Sequence, residues 1–490
     1  MDPAVVVLAR TPARRVSLSR FSISGGQLWA ALAVLIPVLI AVSEGLHTVD
    51  LAYHVRAGLD AIGQGSLVWS DSFTFTASGH TWVNQQWLSQ LIFAVTFEAG
   101  GFVGLLLLRA MLAGLLFSLV FGLCRSQGAS MRASSWLTLG AFAVAMTSLT
   151  LRPQLLGVCL FALALRILQR RSEKPALVWW LVPLTILWAN VHGSFVFVLV
   201  LLVIAKLQDR IDGQRSRITV PLLATVVLAT LVNPAGPWIW VYVVGLLTNP
   251  MMARVTEWFP PQIGSLPGIL FFGSAIAVAV FLARRAKRIE LSSLLPLCIF
   301  LSLALSSKRS VVWWAIVAVS IIPAMLGRAP NRPEERRLVN TFMVGAFAAT
   351  AVVAMMIQAG GSGTATLSDA PRGITTYLRN EVAPDERMLN PQRWGSWFEL
   401  ALPGHKTFID SRIEFFPGSV WTDYLRVAEA SQGWENILDR WRIEVVVVDR
   451  AQMRGARGAL DQDPDWTIAY QDRDGYVFRR AASATHQLGR

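Results

Sequence analysis

The sequence predicts an α-helical polytopic membrane protein with a small C-terminal α/β domain, and three observations support this. Of the 490 residues, 54% are hydrophobic and 15% are charged, whereas soluble domains carry about 25% charged residues. Apolar runs approaching the roughly 20 residues of a spanning helix recur from residue 27 to residue 358. Beyond residue 370 these runs stop, and short amphipathic and β-branched segments typical of a soluble domain follow.

Eleven apolar runs are predicted to cross the membrane. The first, from Gln27 to Ser43, is longer than the apolar part of a signal peptide, which indicates a retained anchor. The predicted spans cover residues 27–44, 103–124, 134–150, 154–169, 176–190, 193–207, 218–233, 267–283, 290–306, 310–327 and 338–358.

The basic residues indicate how these spans are oriented. The net charge of +13 would suggest a nucleic-acid partner in a soluble chain, but here the lysines and arginines fall in short clusters between apolar runs. The clusters at residues 170–174, 206–217 and 284–288 all fall on the side of the N-terminus, which is the pattern of the positive-inside rule. We therefore expect membrane lipids and no nucleic acid as partners. We also expect a multi-pass inner-membrane protein with a cytoplasmic N-terminus at residues 1–26.

The transmembrane part is expected to span residues 27–358, with long outer loops at residues 45–102 and 234–266. Within the first loop, residues 84–102 are apolar but interrupted by Glu98 and two glycines, which favours a helix lying in the membrane interface.

A glycine-rich linker at residues 359–369 is expected to lead into an extracytoplasmic α/β domain at residues 370–490. Its hydrophobic periodicity and turn residues predict two helices, two strands and a closing hairpin. These lie at residues 374–380 and 420–430 for the helices, 406–410 and 443–449 for the strands, and 466–479 for the hairpin.

Polar residues at the outer ends of several spans form the first candidate site. Arg152, Lys308 and Arg309 are expected to hold a phosphate at the lipid boundary, because arginine binds phosphate through two parallel hydrogen bonds. The alternative is that these side chains extend to lipid headgroups from the span ends. His192 falls on the same face, with helix packing as its alternative role. The supporting residues on this face are Asn190, Asn233 and Glu257.

The first outer loop carries the candidate catalytic acids. A carboxylate can act as a general base that accepts the proton of a hydroxyl group. Asp50 and His54 lie four residues apart and would share one face of a helix. This pair could alternatively bind a divalent cation. Asp71 is the second candidate acid, with a turn-capping role as its alternative.

Several short motifs connect these residues. The first loop contains Asp50-x-x-x-His54-x-x-x-Gly58, then Asp71-x-Phe73-Thr74-Phe75-Thr76, then Gly79-x-x-Trp82-x-x-x-x-Trp87-Leu88. The later motifs are Arg152-Pro153-Gln154, Trp188-Ala189-Asn190-Val191-His192-Gly193, Asn233-Pro234, Glu257-Trp258 and Phe408-Ile409-Asp410-Ser411-Arg412. Together they resemble those of the GT-C superfamily, polytopic glycosyltransferases that use polyprenyl-phosphate-linked sugars.

The resemblance implies that Asp50 activates the acceptor or faces a metal ion, and that Asp71 is a second acid. It implies a lipid-phosphate site near Arg152, His192 and Arg309, with Trp87 among the supporting residues. It also implies a polyprenyl-phosphate-linked sugar as donor and a glycan, lipid or protein as acceptor. Either no cofactor or a divalent cation, Mg²⁺ or Mn²⁺, is compatible with it.

The expected function is therefore that of a membrane hexosyl- or pentosyltransferase acting at the outer face. The alternative is a non-catalytic scaffold or assembly subunit of the same fold that serves envelope polysaccharide synthesis. A transporter fits less well, because the charges concentrate at one face and no inverted repeat is visible.

Overall fold

The computed structural model describes residues 22–46, 50–285, 290–326, 335–360, 367 and 369–481. Over these ranges the chain forms a helical part followed by a smaller α/β part, which confirms the predicted fold class. The helices of the first part are α1 (Gly25–Ser43), α2 (Asp50–Gln64), α3 (Trp87–Ser126), α4 (Met131–Ala145), α5 (Pro153–Gln169), α6 (Leu181–Val191), α7 (Val196–Ile211), α8 (Val220–Ala229), α9 (Trp238–Thr248), α10 (Leu266–Arg284), α11 (Leu291–Ser306), α12 (Val311–Leu326) and α13 (Leu338–Gly360).

Each of the eleven predicted spans corresponds to one of these helices, but many of the helices are short. Among the described residues, five helical stretches are long and apolar enough to cross a membrane by themselves. They are Gly25–Ser43, Trp87–Ser126, Leu266–Arg284, Lys308–Leu326 and Leu338–Gly360. Other apolar helices have 10–17 residues, among them Pro153–Gln169 and Leu291–Ser306.

The burial of the apolar helices shows which of them form the centre of the bundle. Helix α12 buries most of its residues, including Trp313 and Trp314. Helix α13 is equally apolar, yet Asn340 is its one buried residue. A helix that is apolar on every face is stable when it is surrounded by protein or by lipid. We therefore place α12 at the core and α13 at the lipid boundary.

The first and last apolar helices run side by side and in the same direction. Before them, the two-residue strands β1 (Ile23–Ser24) and β2 (Arg336–Arg337) pair antiparallel. After them, a single bridge joins Leu46 to Leu367. Both helices therefore start at one face of the bundle and end at the other, as the charge alternation requires. Which of these faces is cytoplasmic stays a prediction.

The first long loop begins with α2, whose close packing on α3 is determined by a glycine. A Cβ atom added to Gly58 would lie 2.2 Å from the carbonyl oxygen of Gln90, so a larger residue does not fit at this crossing. The helix expected within residues 84–102 forms the first part of α3, which bends at Gly101 (φ 56°) and continues as the second predicted span. Gly101 adopts a positive φ that residues with a side chain disfavour.

Up to residue 481, the α/β part contains five further helices around a four-stranded sheet. The strands are β3 (Met388–Leu389), β4 (Val445–Asp449), β5 (Trp466–Gln471) and β6 (Gly475–Arg480), in the order β3-β4-β6-β5. Strands β3 and β4 are parallel, and the other pairs are antiparallel. The helices are α14 (Arg372–Glu381), α15 (Gln392–Ala401), α16 (Gly418–Ala428), α17 (Trp434–Trp441) and α18 (Arg454–Gln462).

The predicted helices, the 443–449 strand and the closing hairpin are all present in this part. The strand predicted at residues 406–410 is wrong, because this segment forms one isolated bridge, between Thr407 and Thr74 of the first loop. Helix α15 packs on α2. The α/β part therefore rests directly on the loop that carries Asp50. We call this side of the bundle the site face.

Candidate functional site

Arg152 is the centre of a charged cluster on the site face. One of its guanidinium nitrogens, Nη2, lies 3.0 Å from Oδ2 of Asp50. The other, Nη1, donates to Oε1 of Glu257. Arg152 therefore joins the start of α2 to the loop between α9 and α10. Three residues that lie far apart in the sequence, Asp50, Arg152 and Glu257, are thereby brought together.

Local sequence places Arg152 where it can make both contacts. Pro153 occupies the first turn of α5, and Arg152 precedes it in an extended conformation (φ −135°, ψ 162°). The residue before a proline is biased away from helical geometry, so the helix starts after Arg152. The Arg152 side chain therefore lies at the site face, where it contacts Asp50 and Glu257.

Arg309 and Lys308 lie in a short 3₁₀ turn, Lys308–Ser310, between α11 and α12. Arg309 Nε lies 3.7 Å from Oε2 of Glu257, and its guanidinium carbon is 5.7 Å from the centre of the Trp258 ring. Two backbone contacts hold this turn against the loop that carries Glu257. Ser307 Oγ donates to the carbonyl of Glu257 at 3.2 Å, and the backbone nitrogen of Lys308 donates to the carbonyl of Phe259 at 2.9 Å.

The three cations line a single cavity of about 370 Å³. Arg152, Gln154 and Glu257 form part of its wall together with Lys308 and Arg309. Gln154 Nε2 and the backbone oxygen of Arg309 are 3.4 Å apart, and the Arg309 side chain contacts Oε1 of Gln154 at the same distance. Three cations and one carboxylate give the wall a net positive charge. This is the chemistry that binds a phosphate, because fixed cations stabilise its oxygens.

Glu257 is the carboxylate of this wall, and its charge depends on its neighbours. Burial favours its neutral form, but the Arg152 and Arg309 guanidinium groups outweigh this and lower the pKa of the Glu257 carboxyl. Glu257 therefore stays ionised and holds both arginines in position. An incoming phosphate would compete with Glu257 for the same guanidinium nitrogens.

His54 lies one helical turn after Asp50, as predicted, but its ring is buried. The ring lies 3.9 Å from that of Tyr53 and 6.2 Å from that of Phe93, measured between centroids. Burial, with help from the Arg152 charge, lowers the pKa of His54 well below its usual range. His54 is therefore a neutral histidine packed behind Asp50, and its buried Nδ1 has no hydrogen-bond partner among the described residues.

The predicted Asp50–His54 pair does not fit a resident divalent cation. The Asp50 carboxylate is already paired with the Arg152 guanidinium, which it shares with Glu257. Within the described ranges, no group of three or more His, Cys, Asp or Glu side chains is arranged to hold a metal ion.

Asp71 does not join this cluster. Its carboxylate is buried and pairs with Arg412 of the α/β part, with 2.6 Å between Oδ1 and Nη2. The other oxygen, Oδ2, accepts from the backbone nitrogen of Thr74 at 3.0 Å and from the Thr74 hydroxyl at 2.6 Å. The turn-capping role given as the alternative is therefore realised, and Asp71 connects the first loop to the α/β part.

Arg412 is the residue at this junction that sequence reasoning missed, although it ends the Phe408–Arg412 motif. It is 2% exposed. Besides Asp71 it pairs with Asp410, at 2.9 Å through Nε and 2.5 Å through Nη2. Its guanidinium carbon lies 4.6 Å from the Phe415 ring centre and 4.8 Å from that of Trp82. The motif itself was visible in the sequence, but the partner of Arg412 in the first loop was not.

His192, predicted as a phosphate ligand, does not line the cavity, and neither do the predicted supporting residues Asn190, Asn233 and Trp87. All four make contacts within the bundle. His192 Nδ1 accepts from the backbone nitrogen of Ser194 at 3.1 Å and caps a 3₁₀ turn. Asn190 accepts from the Trp87 indole at 2.8 Å and donates to the carbonyl of Val232 at 2.8 Å. Asn233 closes its own turn, since its Oδ1 accepts from the backbone nitrogen of Ala235 at 2.9 Å.

Comparison with known proteins supports the fold independently. No protein-family model matches the chain, and no curated protein matches it in sequence. Solved structures do match the chain in fold. ArnT from Cupriavidus metallidurans, bound to undecaprenyl phosphate, aligns at a TM-score of 0.52 and 13% identity over 93% of this chain and 98% of that one.

Another matching structure is that of an archaeal oligosaccharyltransferase from Archaeoglobus fulgidus. Its apo form aligns at a TM-score of 0.54 and 13% identity over 86% of this chain and 69% of that one. AglB from Archaeoglobus fulgidus, in complex with an inhibitory peptide and a dolichol-phosphate, aligns at a TM-score of 0.52 and 12% identity. The alignment covers 94% of this chain and 75% of that one. Both proteins are GT-C superfamily membrane glycosyltransferases. The chain described here therefore has the GT-C fold and is a multi-pass membrane protein.

Proposed function

We propose that this chain is a membrane glycosyltransferase that transfers a sugar from a polyprenyl-phosphate donor to a glycan, lipid or protein acceptor at the outer face of the membrane. The observation that carries the proposal is that Arg152 joins Asp50 to the cavity lined by Lys308 and Arg309. A candidate base and a candidate phosphate site are thereby adjacent. The similar structures with bound undecaprenyl phosphate and dolichol-phosphate support a lipid phosphate as the ligand.

The proposed reaction uses each charged group in one role. The acceptor oxygen attacks the anomeric carbon of the donor sugar as the bond from that carbon to the phosphate oxygen breaks. The electron pair of the broken bond stays on the phosphate, and Arg152, Lys308 and Arg309 stabilise its charge. The acceptor proton passes to the Asp50 carboxylate. The products are the glycosylated acceptor and the free lipid phosphate.

The contacts of Arg152 with two carboxylates have a role in this reaction. Arg152 is bound by both Asp50 and Glu257. A donor phosphate in the cavity would take over guanidinium nitrogens from these carboxylates, because an arginine presents its donors in a fixed fork. Binding of the donor would thus release Asp50 to accept a proton from the second substrate.

The test is sugar transfer by Asp50→Asn in the purified full chain, reconstituted in lipid nanodiscs with the lipid-linked sugars and glycans extracted from its native membranes. Asparagine keeps the size of the side chain but is not a base, so we expect at least a hundredfold loss of rate, in line with general-base catalysis of about 10²–10⁴-fold.

The matched control is Asp60→Asn on the same helix. Asp60 pairs with Arg56 at 2.9 Å, outside the cluster, and its loss should leave the rate unchanged. Full activity of Asp50→Asn would overturn the assignment of the base. A wild-type chain that binds lipid phosphate but transfers no sugar would favour the non-catalytic scaffold.

A further inference from the structure

The α/β part contributes a carboxyl group of its own to the site face. Tyr242 on α9 donates its hydroxyl to Oε1 of Glu414 at 3.1 Å. Glu414 follows the Phe408–Arg412 motif, and both its side chain and that of Tyr242 are half-buried. A helix of the bundle and a loop of the α/β part therefore meet through this polar contact.

Helix α2 forms the opposite side of the same region. Tyr53 follows Asp50 by three residues and lies on the same helix face. The Tyr53 ring is 6.3 Å from the ring of Trp82, which is in turn 6.5 Å from the ring of Phe415, the neighbour of Glu414. A series of aromatic ring contacts thus connects the residues around Asp50 to the segment that carries Glu414.

The pKa shifts of Tyr53 and Glu414 are consistent with the proximity of these side chains. Burial raises the pKa of Tyr53, and the carboxyl groups of Glu414 and Asp50 add to the shift. Burial also raises the pKa of Glu414, opposed in part by hydrogen bonds and by the charge of Arg309. A carboxyl group with a raised pKa is more readily protonated, and it can then donate as well as accept a hydrogen bond.

We propose that Glu414, Tyr242 and Tyr53 form the acceptor subsite and that this subsite takes the hydroxyl groups of a saccharide. The proposal rests on the proposed function, since it places the acceptor beside Asp50 and opposite the phosphate cavity. Hydroxyl groups suit one carboxyl and two phenol groups that both donate and accept. The half-buried Phe415 ring supplies an apolar surface for the C–H face of a sugar. The positive charge of Arg309, which acts on Glu414, disfavours a cationic acceptor.

The experiment uses the full chain in nanodiscs and measures two ligands separately. Undecaprenyl phosphate binding is followed by native mass spectrometry. Saccharide binding is followed by saturation-transfer NMR with maltotriose, cellotriose, mannotriose and chitotriose, and with trilysine as a cationic probe. The variants are Glu414→Gln and Tyr242→Phe. The matched control is Glu429→Gln, an exposed carboxylate on the same α/β part.

We expect the wild-type chain to bind at least one trisaccharide and not trilysine. Glu414→Gln and Tyr242→Phe should each weaken that binding about tenfold, which corresponds to roughly 1.4 kcal/mol. Both should leave undecaprenyl phosphate binding intact, and Glu429→Gln should change neither ligand.

Two results would overturn the subsite while leaving the proposed function standing, provided that undecaprenyl phosphate still binds. One is binding of trilysine or of none of the trisaccharides. The other is equal trisaccharide binding by Glu414→Gln and Glu429→Gln. A wild-type chain that fails to bind undecaprenyl phosphate would instead contradict the proposed function itself.

Discussion

Replacement of Asp71 by alanine should destabilise the junction between the first loop and the α/β part. Asp71 and Arg412 are both almost fully buried, with side chains 0% and 1% exposed. Removing one partner of a buried ion pair costs about 3–5 kcal/mol, because it leaves a buried charge without its partner. Arg412 keeps Asp410, so we expect the lower end of this range, about 3 kcal/mol.

Loss of the Asp71 carboxylate also removes two hydrogen bonds that Thr74 donates, each worth about 1 kcal/mol. The expected decrease in the free energy of unfolding is therefore about 3–5 kcal/mol in total. It can be measured in detergent micelles by guanidinium titration, with tryptophan fluorescence as the signal.

The matched control for this prediction is Arg440→Ala. Arg440 pairs with Asp423 at 2.5 Å in the same α/β part, but its side chain is 60% exposed. Exposed ion pairs contribute about 0–1 kcal/mol, so this variant should unfold almost as the wild type does. Equal losses for Asp71→Ala and Arg440→Ala would refute the view that burial makes the Asp71–Arg412 pair the main polar link of the junction.

Two further predictions concern the support of the site. Gly58→Ala should lower the free energy of unfolding by about 1–3 kcal/mol, because its Cβ would overlap Gln90 at the crossing of α2 and α3. The control is Gly63→Ala on the same helix, where an added Cβ meets no atom within 4 Å. It should stabilise the chain by up to about 1 kcal/mol through helix propensity. Similar thermal shifts for both variants would contradict the packing argument. Because the pKa of Glu257 is lowered by Arg152 and Arg309, its contribution to stability is present above its ordinary pKa of about 4.3 and is lost as the pH falls below it. The difference in melting temperature between wild type and Glu257→Gln should therefore shrink as the pH falls from 6 to 3. A constant difference would contradict the claim that ionised Glu257 stabilises the fold.

Features of the structure that depend on local sequence patterns could be predicted from the sequence. The apolar runs predicted the helices, and the ends of those runs placed Arg152, Lys308 and Arg309 on one face, where the structure shows them around one cavity. Helical spacing also predicted that His54 follows Asp50 on one face. It could not reveal that His54 is packed between aromatic rings.

The remaining contacts join segments that are distant in the chain. The Asp71–Arg412 pair connects residues 341 positions apart, and no periodicity in either segment indicates it. Tyr242 and Glu414 meet only because α15 docks on α2 and brings the α/β part to the site face. His192 carried a chemically suggestive side chain, yet its position before a 3₁₀ turn made it a backbone cap.

The central claim is that the cavity between Arg152, Lys308 and Arg309 binds a lipid phosphate. The most direct measurement is the affinity of undecaprenyl phosphate, by native mass spectrometry, for the wild-type chain and for Lys308→Gln/Arg309→Gln. The control is Arg473→Gln, whose side chain is 85% exposed on the α/β part. A hydrogen bond to a charged group contributes about 1.5–3 kcal/mol, so the double variant should bind at least about tenfold more weakly while the control binds normally. Unchanged affinity of the double variant would contradict the account.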